Sequence, residues 1–251
     1  MKTMVREILK IDAEASILIE GLPGLGMVGK IAVKYLIKQL KAKKFAELYS
    51  PHFPYHVLVN KEGRIRLLRG ELYYWSENGK SLILLTGDSQ AQTIEGQYEM
   101  ANCILEFAEK HGVKTIITIG GYKSDNEKGK VVCASTNRKL LEKALNAGAI
   151  ESPAGNPIVG MAGLLLGLSK LKGMEGLCLL GETKGYMPDP KAAKKVLEVL
   201  TKLLDLNVNL SDLDREIKRI EKIKAEMRKV RAESVISREE IREERKITYI
   251  S

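Results

Sequence analysis

The chain has 251 residues, of which 44% are hydrophobic and 29% are charged. This composition is typical of a folded globular protein and excludes a disordered chain. The formal net charge of +9 raises the question of nucleic-acid binding, but only 5% of the residues are aromatic and no known nucleic-acid-binding module accompanies the lysines. We therefore do not expect nucleic acid as a partner. The abundance of Lys and Glu is also typical of thermophilic proteins.

The N-terminal residues lack the apolar core of a signal peptide, and no apolar run is long enough to cross a membrane. Cys103, Cys133 and Cys178 are far apart in the sequence and lie within apolar runs. This pattern favours buried free thiols over a zinc or redox site. The sequence thus predicts a cytoplasmic protein that has no membrane contact and no metal or other cofactor.

In chain order, the apolar run 16–20 predicts a buried strand, which the turn at 21–24 ends. The apolar spacing that follows predicts a helix over 27–44. Three β-rich stretches come next, at 55–59, 64–74 and 81–85. Between them lie Glu62-Gly63 and Asn78-Gly79, which are typical of hairpin turns.

Helices and strands alternate over the rest of the chain to residue 206. The predicted elements are helices over 94–110, 138–147, 158–171 and 190–204, and strands over 115–119, 131–134 and 176–180. Continuously apolar strands that alternate with helices indicate a parallel or mixed sheet covered on both faces. The predicted fold class is α/β: a single three-layer α/β/α domain over residues 1–206.

A charged helical extension is predicted over residues 207–251. Its start is indicated by Ser211 and Asp212, which can cap a helix N-terminus. A narrow apolar stripe follows, which favours packing of this helix against another copy of the same protein or against a partner. The stripe consists of Leu210, Leu213, Ile217, Ile220, Met227 and Val230.

The first candidate site is the glycine-rich loop over 21–30. Gly24, Gly26 and Gly29 have the spacing of a dinucleotide-binding loop between a strand and a helix, and Lys30 gives the segment some likeness to a phosphate-binding loop. Ile31 stands where a phosphate-binding loop has Ser or Thr. The glycines are equally suited to a tight turn and a close backbone approach, so both interpretations stay open.

Three other segments carry polar residues or glycines at predicted strand ends. In 86–92 and just beyond, Asp88, Ser89 or Thr93 could cap a helix or face a ligand. Gly120-Gly121 could line a pocket or relieve backbone crowding. In 181–190, Glu182 and Asp189 could act as paired carboxylates, although Asp189 before Pro190 is also suited to a helix N-cap.

No complete catalytic motif is present. The chain has three histidines, and it shows no serine elbow, no His-Glu zinc pattern and no Cys-His pair in a suitable context. The sequence therefore favours a protein that is not an enzyme. A nucleotide- or nucleoside-binding enzyme that uses the loop 21–30 is the alternative.

Taken in order, several of these segments resemble the proteasome assembly chaperone 2 family, and more narrowly its archaeal members. The resemblance covers about residues 10–205 and is most specific at its end, Glu-Thr-x-Gly-Tyr-x-Pro-Asp-Pro. The segments are Gly21-Leu22-Pro23-Gly24-Leu25-Gly26, the turn with Gln90 and Gln92, Gly120-Gly121, 160–166 and 181–190.

The resemblance implies a mixed-sheet fold similar to that of nucleoside phosphorylases, without their catalytic residues. It also implies a homo-oligomer, either a tetramer or a pentamer, that acts as a non-enzymatic assembly chaperone or scaffold. The implied partners are α subunits of the 20S proteasome or a paralogous assembly factor.

Some members of this family bind the proteasome through a hydrophobic-Tyr-X C-terminal tail. The corresponding residues here are Ile247, Tyr249, Ile250 and Ser251, and Tyr249 is third from the end rather than second. Tail binding to the proteasome and tail binding to another assembly factor are therefore both open.

Overall fold

The computed structural model describes residues 1–11, 14–124 and 128–222. One compact unit covers Met1–Asn209, and a second unit begins at Leu210. The strands of the first unit are β1 (Met4–Glu7), β2 (Ile17–Glu20), β3 (Lys43–Tyr49), β4 (Val57–Val59), β5 (Ile65–Leu67), β6 (Gly70–Glu77), β7 (Lys80–Gly87), β8 (Thr115–Lys123), β9 (Val131–Ser135), β10 (Ile150–Glu151) and β11 (Glu175–Thr183). Its α-helices are α1 (Val28–Leu40), α2 (Ile94–Lys110), α3 (Arg138–Asn146), α4 (Met161–Leu171) and α5 (Pro190–Leu204), and a short 3-10 helix (Leu25–Met27) precedes α1.

Nine strands form one mixed sheet in the order β1-β3-β6-β7-β2-β8-β11-β9-β10. The four central strands, β7, β2, β8 and β11, run parallel to one another. The strands β6, β3 and β1 extend one side by antiparallel pairing, and β9 pairs antiparallel with β11 on the other side. A separate two-stranded sheet consists of β4 and β5.

The helices lie in two groups on this sheet. Helix α5 contacts α1 and α3, whereas α2 contacts α4, and both groups contact the central strands β8 or β11. The main core lies between the sheet and the helices α2 and α4. It includes Leu18, Ile83, Ile104 and Leu165, all fully buried. The predicted α/β fold with a mixed sheet between helical layers is confirmed.

Helices α2 and α5 have the predicted limits, and both predicted hairpin turns are present. The turn between β6 and β7 has Asn78 at φ 52° and Gly79 at φ 72°, the left-handed conformation that such turns require. Of the three thiols predicted to be free and buried, Cys133 and Cys178 are buried, whereas Cys103 is half-buried.

Several sequence predictions differ from the structure. Helix α1 ends at Leu40, not at 44, because Lys41 adopts a left-handed conformation (φ 53°) and closes the helix. The residues that follow form β3, in which two lysines precede a continuous buried run, 45–48. The predicted strand 64–74 is two strands, β5 and β6, and the short edge strands β1 and β10 were not predicted.

In the second unit, residues 211–222 form a helix. Leu213 is buried there, whereas Ile217 and Ile220 are half-buried, as expected for the first part of the predicted apolar stripe. Met227, Val230 and the C-terminal tail lie outside the described residues. Across the described ranges no helix has both the length and the apolar character that membrane crossing requires.

Close backbone packing fixes the start of α1 against the sheet. A Cβ atom on Gly29 would lie 2.2 Å from the carbonyl oxygen of Ile119 in β8, and a Cβ atom on Gly21 would lie 2.3 Å from the carbonyl oxygen of Gly29. These distances are far below van der Waals contact, and both neighbours are backbone atoms that cannot rotate away. Gly21 and Gly29 are therefore required by packing.

We predict that substitution by alanine destabilises the protein at Gly29 but not at Gly24 of the same loop. Gly29→Ala should lower the free energy of unfolding by about 3 kcal/mol, because the clash with Ile119 outweighs the gain of about 1 kcal/mol that Ala normally gives over Gly in a helix. Gly24→Ala is the matched control. Its Cβ would lie 3.7 Å from the nearest atom, the Nε2 atom of Gln90, and its φ of −156° suits any residue. Urea unfolding of both variants measures the difference, and equal stabilities would contradict the packing argument.

Candidate functional site

The glycine loop 21–26 and the segment 181–190, which are distant in sequence, meet in the structure. The backbone N–H of Asp189 donates to the carbonyl oxygen of Gly26 (2.8 Å). A Cβ atom on Gly26, which has φ 59°, would lie 2.7 Å from the Oγ1 atom of Thr183. The Thr183 hydroxyl in turn donates to Oδ2 of Asp189 (2.8 Å). The two segments that carry most of the family resemblance thus interlock.

Asp189 caps helix α5, as its position before Pro190 predicts. Its Oδ1 atom accepts a hydrogen bond from the backbone N–H of Ala192 (3.0 Å). Glu182 has different partners: it accepts from the Ser124 hydroxyl (2.6 Å) and from the backbone N–H of Lys130 (3.1 Å). Burial alone would raise the pKa of Glu182, but these hydrogen bonds outweigh it and lower the pKa. Each carboxylate therefore has its own structural contacts, and their hydrogen bonds do not join them as a pair.

The second candidate segment separates into different roles. Thr93 is the N-cap of α2, with its hydroxyl accepting from the Gly96 N–H (3.0 Å). Asp88 does not cap the helix; it accepts from the guanidinium of Arg66 (3.0 Å from Nη2 to Oδ1) and from the backbone N–H of Arg69. Ser89 donates to the carbonyl oxygen of Gln90.

Lys30 lies on the first turns of α1, and its pKa is lowered chiefly by burial and also by the charge of Lys34. Asp88 acts on Lys30 in the opposite direction. Of the loop residues predicted as an anion or nucleotide site, Gly26 and Gly29 pack against Thr183 and Ile119, whereas a Cβ atom on Gly24 would make only an ordinary van der Waals contact with Gln90. Ligand binding by Gly24, Gly26, Gly29 and Lys30 stays a prediction.

A cleft of about 440 Å³ lies at the carboxyl ends of the central parallel strands. Gly24 of the glycine loop, Gln90 of the β7–α2 segment and Gly120-Gly121 of β8 all line it. The structure thus brings parts of three predicted sites to one place. This is the edge at which open α/β sheets usually bind ligands.

Gln90 joins the two sides of this cleft. Its Nε2 atom donates to the carbonyl oxygen of Pro23 (2.8 Å), and its Oε1 atom accepts from the backbone N–H of Met161 (3.0 Å). One amide side chain therefore ties the glycine loop to the first turn of α4. Gly160, the N-cap of α4, has φ 78° and also lines the cleft.

Glu20, the last residue of β2, lines the cleft and was not among the predicted site residues. Its side chain is buried, with 1% of the residue surface exposed. Burial raises the pKa of its carboxyl to about 7, and a hydrogen bond from the Leu22 N–H acts in the opposite direction. The sequence signal that could have found it is an acidic residue at the end of the apolar run Ile17-Leu18-Ile19.

A second surface feature is the apolar hairpin, which we define as β4 and β5. In its antiparallel register Val57 pairs with Leu67, and Val59 pairs with Ile65. All four side chains are exposed, from 43% for Val57 to 70% for Ile65. The alternate residue Leu58 packs against the main core. The hairpin is thus attached by one face and presents four apolar side chains on the other.

Among the described residues, no group of three or more His, Cys, Asp or Glu side chains could hold a metal ion. The fold and these surfaces define a mixed-sheet α/β protein with an exposed apolar hairpin and a cleft at the carboxyl ends of its parallel strands.

The chain belongs to the PAC2 family, whose model matches residues 18–228. Its sequence is 42% identical to that of Pyrococcus furiosus PbaB, whose crystal structure is described as that of an archaeal proteasome activator. That match covers 90% of this chain and 99% of PbaB, with a TM-score of 0.86. P. furiosus PbaA, described as an archaeal homolog of proteasome-assembly chaperone, is 28% identical over 98% of this chain and 100% of its own, with a TM-score of 0.74. An uncharacterized protein of Methanocaldococcus jannaschii is 39% identical over 206 residues, which are 81% of this chain and 80% of that protein.

The buried Glu20 carboxyl gives a signed pH prediction. Its contribution to stability is complete below about pH 4.5, where it is protonated in both the folded and the unfolded chain, and is lost as the pH rises to about 7. The wild-type protein should therefore lose about 3 kcal/mol relative to Glu20→Gln between pH 4.5 and pH 8.

Urea unfolding of both proteins at the two pH values measures this loss. Glu182→Gln is the control, because the folded protein lowers the pKa of Glu182 and its contribution is not lost as the pH rises. A difference between wild type and Glu20→Gln that does not change with pH would show that Glu20 is not held in its protonated form.

Proposed function

We propose that this protein is a non-enzymatic, homo-oligomeric assembly chaperone or scaffold that acts in the cytoplasm and binds the 20S proteasome or another assembly factor. The observation that carries the proposal is the likeness to PbaB over nearly the whole of both chains, at 42% identity and a TM-score of 0.86. The likeness to PbaA supports a role in the same system.

The apolar hairpin is our candidate for self-association. Four exposed apolar side chains in one contiguous patch are costly in water, whereas their burial at about 25 cal/mol per Å² favours association. The patch is also attached to the folded unit at two points. Leu58 anchors β4 to the core, and Arg66 of β5 forms an ion pair with Asp88 at the end of the β7 region. These two attachments limit the conformational freedom that the hairpin would lose when it binds a copy of itself.

The C-terminal residues Ile247, Tyr249, Ile250 and Ser251 are our candidate for partner binding. The proposal gives the folded unit and the extension different tasks, since the first would form the oligomer and the second would reach the proteasome or an assembly factor. Several tails on one oligomer would raise the apparent affinity for a ring-shaped partner through multivalency.

We predict that Val59→Lys combined with Ile65→Lys breaks the oligomer. Two opposed lysines would place like charges directly across the hairpin and remove its most exposed apolar pair. Native mass spectrometry should show smaller species, with the fold retained by circular dichroism. Leu171→Lys is the matched control, because Leu171 is 82% exposed but belongs to α4 rather than to the hairpin. An unchanged oligomer mass for the double variant would rule out the hairpin as the contact.

We also predict that removal of residues 237–251, or Tyr249→Ala, abolishes co-sedimentation with 20S proteasomes or with the paralogous factor. The oligomer mass should not change, because the extension is not the proposed oligomer contact. The double hairpin variant supplies the reverse case, in which the oligomer is lost and the tail is intact. If the truncated protein bound both partners as well as the full chain does, the proposed role of the tail would be wrong.

A further inference from the structure

Glu20 lines the cleft at the carboxyl ends of the parallel strands, and one oxygen of its buried carboxyl has no hydrogen-bond partner. The Oε1 atom of Glu20 accepts a hydrogen bond from the backbone N–H of Leu22 (2.8 Å). The Oε2 atom is buried and has no hydrogen-bond partner. Such an unsatisfied buried oxygen costs about 1–3 kcal/mol, and more when the group is charged.

A purely structural role does not account for Glu20. Accepting one hydrogen bond from Leu22 needs one oxygen atom, and a glutamine would supply it without the cost of burying an ionisable group. Cys178 of β11, two strands away in the sheet, gives no compensation by charge, because burial raises the pKa of its thiol to about 12 and the thiol is neutral.

The walls around this carboxyl are mostly apolar. Side chains from the glycine loop, the end of β8, the segment before α4 and β11 line the cleft, namely Leu22, Leu25, Ile119, Ile158, Val159 and Leu180. The polar side chain of Gln90 is already engaged at both ends, by Pro23 and Met161. Lys123 also lines the cleft, but it is exposed and its Nζ atom lies 5.4 Å from the centre of the Tyr186 ring.

A cleft of about 440 Å³ with mostly apolar walls and a buried carboxyl has the size and character of a small-molecule site. Above about pH 7 the Glu20 carboxyl is ionised and only accepts hydrogen bonds, so a ligand that binds it at pH 8 must donate them. Because only 1% of the Glu20 surface is exposed, the donor must be a small group at one end of an apolar body.

We propose that this cleft binds a small, flat, apolar molecule whose amidine- or amine-type N–H group donates to Glu20. An N–H cation on a carboxylate forms a charge-assisted hydrogen bond, which is stronger than a neutral one. The apolar walls hold the body of the ligand. This site goes beyond the proposed chaperone function and does not depend on it.

Benzamidine is the probe, because it joins a flat apolar ring to an amidine. Titration of the full-length protein at pH 8, followed by calorimetry and by ligand-observed NMR, should show saturable binding. Benzoate, which has the same ring and the opposite charge, should not bind. Glu20→Gln should weaken benzamidine binding at least about tenfold, because the amide keeps the Leu22 hydrogen bond but loses the charge.

Two further variants make the result decisive. Glu151→Gln makes the same chemical change at an exposed carboxyl of β10 and should leave binding unchanged. Ala162→Leu fills the cleft wall without touching the carboxyl and should weaken binding even if Glu20→Gln fails to fold. Absence of saturable binding, equal binding of benzoate, or unchanged binding by both Glu20→Gln and Ala162→Leu would overturn the proposal.

Discussion

The start of α1 can approach the sheet only where side chains are absent. The backbone of Gly29 lies against the Ile119 carbonyl of β8, and Gly21 lies against the Gly29 carbonyl. This contact sets the distance between α1 and the parallel strands, and with it the position of α5, which packs against α1. The carboxyl edge of the sheet is shaped by the same contact, since the loop between Gly21 and Gly29 forms one side of the cleft.

The glycine loop in turn packs against the end of β11 and the segment that follows it. Gly26 is close to Thr183, Thr183 binds Asp189, and Asp189 both caps α5 and binds back to the Gly26 carbonyl. The residues that mark the family are therefore partners in one packing arrangement. They specify the fold, whereas the features that we propose for binding are the apolar hairpin, the C-terminal tail and the cleft beside Glu20.

The sequence predicted those parts of the fold in which local signals agree with tertiary packing. Helix α5 is an example, because Asp189, Pro190 and the apolar spacing all indicate the same start. The prediction was wrong where a local signal was outweighed. The lysines before and after Lys41 have good helix propensity, yet burial of Phe45 and pairing with β6 make that segment a strand. The cleft could be predicted only in part, because Gly24, Gln90 and Gly120 come from three segments whose meeting depends on strand order. The only sequence signal for Glu20 is that an acidic residue follows an apolar run. Glu20 matters because it is buried, and the sequence does not show its burial.

The place of β2 in the sheet also affects how the chain acquires its structure during synthesis. Ile17 pairs with Leu82 on one side and with Thr115 on the other, so both neighbours of the first central strand are made long after it. At roughly 5–20 residues per second, a ribosome would leave β2 without either neighbour for several seconds. The hairpin of β6 and β7, by contrast, can close within microseconds of its emergence. The nascent chain therefore carries β2 as an unpaired apolar strand until β7 is made, and β7, the strand that first covers one edge of β2, arrives already paired with β6.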